Sequence, residues 1–441
     1  MSTARRKPHR LFRPLTLVAT IAAVVAAAGC GSSSDSGGGG GSASNEKVTL
    51  TVGLFGTFGY KEAGLYDEYM KLHPNITIKE SSVEQEQEYY QALQTHLAAG
   101  SGLDDIQGIE VGRIAEVVQT ESDKFVNLND MGAGGLKSTF FPWKWQAATT
   151  SGGATIGLGT DTGPLAICYR TDLFKKAGLP TDPEQVGQQW STWQGYLDVG
   201  KQYMQNAPAK TAFMDSASGM YNAIIGQSPT QYYDESGNPI YETNPAVKDA
   251  WNLAMQAVSA NETAALKQFD PAWNEGFANG AFATIACPAW MIGYIKGQAG
   301  DSGSGKWDVA RIPGDGGNWG GSYLAIPAAS PHQQQAYDLI KWLTAPAQQV
   351  EMWTKAQHFP SSSTASAEPA VEDATDPYFS NAPLGQVFKT SADNLPVVTL
   401  GPKDGLIKDT FSNGILLVEQ QGQSPQTAWD KTMADIKSAI E

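Results

Sequence analysis

Cysteine and histidine are scarce in this 441-residue chain, at three and five copies. No CxxC or HxxxH spacing gathers them, so a metal site is not expected. A GxSxG nucleophile elbow and a glycine-rich phosphate loop are both absent, and nothing calls for a cofactor. There is no fixed-period repeat, and beyond residue 29 no apolar stretch approaches membrane-spanning length. Positive charge is also in short supply, with 30 Lys and Arg against 45 Asp and Glu. Residues 1–29 hold five of those bases and no acid, which leaves 25 against 45 and a net charge near −20. Nucleic acid is thereby disfavoured as a partner, because phosphate binding needs a basic stripe. Such acidity suits solubility outside a cell.

What is present begins with a leader. Arg5, Arg6, Lys7, Arg10 and Arg13 make a basic n-region, and Leu15 to Gly29 is apolar apart from Thr16 and Thr20. Fifteen residues suit a signal-peptide core better than a membrane span. The run ends in Ala27-Ala28-Gly29-Cys30, which resembles a bacterial lipobox with Ala27 where Leu is usual. Residues 1–29 are therefore expected to be a signal peptide and Cys30 a lipidated residue. Arg5-Arg6 leaves the general and twin-arginine export routes both open. Gly31 to Ser44 is nearly all Gly and Ser, a composition that cannot bury enough apolar surface to offset chain entropy. Residues 30–45 read as a tether.

The remainder, long enough for two cores, alternates strand and helix patterns, which argues for α/β lobes. Val48 to Phe55 reads as a buried strand, Ala63 to Leu72 as a helix, and Ile76 to Ile78 as a second strand. Tyr89, Leu93 and Leu97 recur on one helical face, Ile106 to Val111 is a short strand, and Leu165 to Tyr169 another. Helices follow from Thr171, from Trp193, over 246–259, around Ala336 to Leu343, over 411–420 and over 425–440. Cys168 and Cys287 both lie in apolar stretches. An oxidising exterior permits a disulfide between them, but spacing leaves open whether their Cα atoms approach.

Several blocks, in order, resemble the family 1 extracellular solute-binding proteins of ABC importers, the group containing maltose-binding protein. They are the Gly56-Thr57-Phe58-Gly59 loop, Leu97 to Ile106 (LAAGSGLDDI), and Gly157 to Gly178 (GLGTDTGPLAICYRTDLFKKAG). Ser191-Thr192-Trp193, Pro288-Ala289-Trp290 and Trp319 to Ile326 (WGGSYLAI) follow. The resemblance implies an α/β, two-lobe periplasmic-binding-protein-like fold with hinge-crossing strands, closing on its ligand. It implies a first lobe of 46–163 plus 306–357 and a second of 164–305 plus 358–441. It further implies a monomer on the outer face of the cytoplasmic membrane, extracellular or periplasmic, that hands a small carbohydrate to permease subunits.

Sugars present apolar C–H faces and many hydroxyls, so their sites combine aromatic platforms with carboxylates and amides. Trp290, after a strand and Pro288, stands where the family often has a stacking Trp; core packing is the alternative. Trp319 has too many glycine neighbours for a strand interior. Asp161 precedes the crossing strand, where family members often place a ligand acid; a turn cap is the alternative. Glu110 ends a strand at the cleft edge, and Phe58 sits in the first loop after a strand. Tyr221, Trp273 and Asp404 complete the candidates. A secreted glycoside hydrolase is the rival class, with Asp161 and Glu110 as its two carboxylates, although nothing in the sequence favours it. A phosphorylated ligand would require basic residues that these blocks lack. The number of candidate Trp residues points to a di- or oligosaccharide, with a lean toward β-linked sugars such as cellobiose.

Overall fold

The computed structural model describes residues 46–441 apart from Asp315, so the leader, Cys30 and the tether lie outside the described residues. Eleven strands are numbered in chain order: β1 (Val48–Phe55), β2 (Ile76–Val83), β3 (Ile106–Glu110), β4 (Gly157–Gly159), β5 (Asp161–Thr162), β6 (Leu165–Arg170), β7 (Ala212–Met214), β8 (Phe282–Pro288), β9 (Trp307–Arg311), β10 (Ser322–Ala325) and β11 (Phe359–Pro360). Two main sheets result. The first has the order β2-β1-β3-β10-β4 and the second β7-β8-β6-β9. The α/β, two-lobe expectation holds.

In the first lobe, β1, β2 and β3 are parallel and β10 runs antiparallel to β3 and β4. Alternation along each strand serves two cores. Leu324 and Ile106 pack with Ala336, Leu339, Ile340 and Leu343 of the helix Gln333–Leu343 on one face. Tyr323, Ala325 and Ile109 pack with Tyr89, Leu93 and Leu97 of the helix Glu86–Ala99 on the other. This sandwich accounts for strands that are buried on both faces and read as continuous apolar runs.

The second lobe repeats the scheme. Leu165, Ile167 and Tyr169 of β6 face one core while Ala166 and Cys168 face another. Ala166 pairs with Cys287 and Cys168 with Ile285, so the two cysteines are diagonal neighbours on one face. They form a disulfide, with Cα atoms 5.5 Å apart. Two boundaries differ from the sequence reading. β9 pairs with β6 from Ala166↔Arg311 to Arg170↔Trp307, so the return to the first lobe lies between Arg311 and Ser322 and not at residue 306. The late helix begins at Asp404 rather than Phe411, and those seven residues bring a charged turn to the cleft.

Candidate functional site

Three passages of chain cross between the lobes. β5 pairs antiparallel with β11, matching Thr162 to Phe359 and Asp161 to Pro360. The third passage runs through residues 312–321 and lies against the first. The Trp319 N–H donates to the Gly163 carbonyl at 2.8 Å, and the Gly163 N–H to Asn318 Oδ1 at 2.9 Å. A Cβ on Gly163 would stand 1.8 Å from the Trp319 carbonyl oxygen, so only glycine permits this approach.

A cleft of about 780 Å³ opens beside this crossing. Its first wall is the helix Val111–Thr120, which follows directly from β3, together with Trp143, Gln146 and Thr150. Its second wall comes from Asn222, Gln231, Tyr232, the segment Leu395–Leu400, Asp404 and Lys408. Asn318, Trp319 and Gly320 form the floor at the crossing. The volume lies in the ordinary range for small-molecule sites, and the position beyond the carboxyl end of a strand is usual for open α/β sheets.

The candidates from sequence divide sharply. Trp319 and Asp404 line the cleft. Trp290 instead supports Trp319. Its indole N–H donates to the Trp319 carbonyl at 3.0 Å, and the two rings meet edge to face at 5.7 Å. Asp161 is buried at the crossing, where its carboxylate accepts the Ser322 N–H at 2.9 Å and the Thr160 hydroxyl at 2.6 Å, and faces His358 Nδ1 at 3.4 Å. Burial pushes this carboxyl up, but His358, Lys144 and Thr160 together hold it below its usual range. Glu110 caps the helix Val111–Thr120 by accepting the Gly112 N–H.

Three candidates belong to the core, contrary to the sequence reading. Phe58 packs edge-on against Phe55 at 5.2 Å. Tyr221 is fully buried, stacked on Phe411 at 5.2 Å, with its hydroxyl 3.3 Å from that of Tyr232. Trp273 is also fully buried and donates to Asp215 Oδ2 at 2.8 Å. Pro271 starts a helix at that point, and the i, i+3, i+4 set Trp273, Gly276 and Phe277 turns inward.

Sequence reasoning missed Trp143, Gln146, Asn222, Gln231, Asn318 and Lys408. Asn318 could have been read from its place beside Trp319 in a glycine-rich loop. It also missed Lys144, whose Nζ is buried without a hydrogen-bond partner, 4.0 Å from the centre of the Tyr323 ring. Burial lowers that ammonium to about 8 against the pull of Asp161 and Glu110.

Ionic contacts also cross from lobe to lobe. Arg113 Nη2 meets Asp409 Oδ2 at 2.6 Å, Lys403 pairs with Glu116, and Lys408 Nζ lies 3.9 Å from Glu110 Oε1. Burial raises Asp404 to about 7, opposed by the Gly401 N–H and Lys408. Among the described residues no cluster of three or more His, Cys, Asp or Glu could hold a metal ion, and no helix is long and apolar enough to cross a membrane.

The model for the family "Bacterial extracellular solute-binding protein" matches residues 64–379. A solved structure described as an extracellular solute-binding protein family 1 is 40% identical, with TM-score 0.77 over 89% of this chain and 100% of that one. The ABC transporter associated binding protein from B. animalis subsp. lactis Bl-04, solved with beta-1,6-galactobiose, is 20% identical, with TM-score 0.76 over 90% of this chain and 98% of that one. At that identity the likeness concerns the fold. The lactose-binding protein of Rhizobium radiobacter is 30% identical over 214 residues, 46% of each chain. The arabinooligosaccharide-binding protein of Bacillus subtilis (strain 168) is 24% identical over 198 residues, 41% of this chain and 40% of that one. The chain thus spans less than half the length of these two relatives. Family and relatives alike are binding proteins, not enzymes.

Proposed function

Because this chain belongs to the bacterial extracellular solute-binding proteins, we propose that it captures a neutral di- or oligosaccharide for an ABC importer. The carrying observation is the chemistry of the cleft. Trp319 offers an aromatic face at the crossing, and Asn222, Gln146 and Gln231 offer amides that both donate and accept. Lys408 has Glu110 and Asp409 beside it, which leaves little net positive charge for a phosphate. The relatives' ligands, lactose, arabinooligosaccharides and β-1,6-galactobiose, support the carbohydrate class. A β-linked disaccharide is the reading we favour, with cellobiose as one member of the class to test. The hydrolase alternative finds no support, since Glu110 caps a helix and Asp161 is held by three contacts at the crossing.

In this reading the protein is a monomer, anchored through Cys30 to the outer face of the cytoplasmic membrane, and presents the closed lobes to permease subunits. A thermal-shift screen tests the ligand class. Purified protein is melted with lactose, β-1,6-galactobiose, cellobiose, maltose and arabinotriose, and each sugar is recovered and weighed by mass spectrometry. Stabilisation with sugar recovered intact is expected. Hydrolysed sugar, or no stabilisation by any sugar, contradicts the proposal.

A further inference from the structure

We propose that Trp143 is a ligand-stacking platform on the first lobe, placed so that one sugar ring rests on it while another rests on Trp319. This rests on the carbohydrate reading above and deepens it. The chain has 12 Trp, and eleven make a ring-to-ring contact. Among the described residues Trp143 alone has none. It also belongs to no hydrophobic core, whereas its neighbour Trp145 is buried with Phe140 at 5.8 Å. Lys144 Nζ lies 5.7 Å from the centre of its ring. A half-buried indole with no partner does little for the fold, and this one lines the cleft.

Local structure explains the orientation. Pro142 starts the short helix Pro142–Ala147 at its first turn, where a missing N–H costs nothing. Lys144 and Trp145 then point into the lobe, while Trp143 and Gln146, three residues apart, share the face toward the cleft. That face pairs an indole for the C–H side of a pyranose with an amide for a hydroxyl at its rim. Trp319, held from behind by Trp290, supplies a second platform from the crossing. Two platforms on different elements fit a ligand of two or more rings. Each ring then presents an unbroken C–H face, and a monosaccharide would engage only one platform.

The test measures affinity by isothermal titration with the disaccharide of the panel that wild type binds most tightly. Trp143→Ala should weaken binding about tenfold or more, Trp143→Phe should recover most of the loss, and the unliganded Tm of both should hold to within about 2 °C. Binding by Trp143→Ala within about threefold of wild type overturns the inference and leaves the carbohydrate reading intact. A fall of several degrees in its unliganded Tm, without rescue of affinity by Phe, shows a packing role and also overturns it. If wild type binds no sugar of the panel, the carbohydrate reading fails and this inference fails with it.

Discussion

Arg113 of the first lobe and Asp409 of the second meet at 2.6 Å across the side of the cleft, and Arg113 also forms a fork with Glu86 at 3.1 Å. In the closing motion proposed for this two-lobe fold, these charges come together on closing and part on opening. Because both partners are largely shielded, salt screens them less than exposed pairs but still measurably. Binding of an uncharged sugar should weaken by roughly three- to tenfold between about 0.05 and 0.5 M salt. Asp409→Asn should remove part of that salt dependence, since Lys403 with Glu116 and Lys408 with Glu110 also cross between the lobes. An affinity flat in salt for wild type would show that these pairs do not favour the closed form.

Cys168 and Cys287, 119 residues apart, close a long loop within the second lobe. Intact mass without reductant should be two hydrogens below that of the reduced chain. Replacing both by Ser should cost about 2–5 kcal/mol of stability. Two free thiols in the protein as exported would contradict the bond.

Four buried acids are held above their usual range, chiefly by burial: Glu262 and Asp404 to about 7, Asp215 and Asp308 to about 6. The folded protein thus binds more protons than the unfolded chain between about pH 4.5 and 7, and stability falls as pH rises through that window. The unliganded Tm should therefore be higher at pH 5 than at pH 8. Asp404, moved furthest from its ordinary value, should carry the largest share of the slope, and Glu262, with both carboxylate oxygens unpartnered, the next. Glu262→Gln should flatten it by about 1–3 kcal/mol across the range. A Tm that rises from pH 5 to pH 8 would contradict the assignment.

Much of the fold was legible because periodicity is a backbone property. β1 matches the apolar run Val48 to Phe55, and the helix Glu86–Ala99 follows from Tyr89, Leu93 and Leu97 with Gly100 as its stop. What escaped were short strands whose identity depends on partners. β9 reads as WDVAR and joins the second lobe only through its ladder with β6, so no local signal placed the crossing. The site was legible in part for a similar reason. Trp319 could be read from its glycine-rich surroundings, but Tyr221 and Trp273 sit in loop-like sequence that the helices Ala217–Ile225 and Pro271–Asn279 turn inward. Trp143 went unnoticed because Trp-Lys-Trp gives no hint of which indole faces out.

Cys30 follows the apolar run Leu15 to Gly29 and precedes the Gly/Ser-rich residues 31–44, and the proposed function makes it the anchoring residue. Cys30→Ala should release the folded protein into the medium, as judged by membrane fractionation. A variant that still sediments with membranes as wild type does would overturn the anchoring proposal.

The most direct measurement is a calorimetric titration of wild type and Trp319→Ala with the tightest-binding sugar of the panel. The account predicts one site on wild type. Trp319→Ala should bind about thirtyfold or more weakly, the loss of roughly 2 kcal/mol expected when a central indole is removed. Equal affinity in the two proteins, with the variant folded, would contradict a sugar site at this cleft.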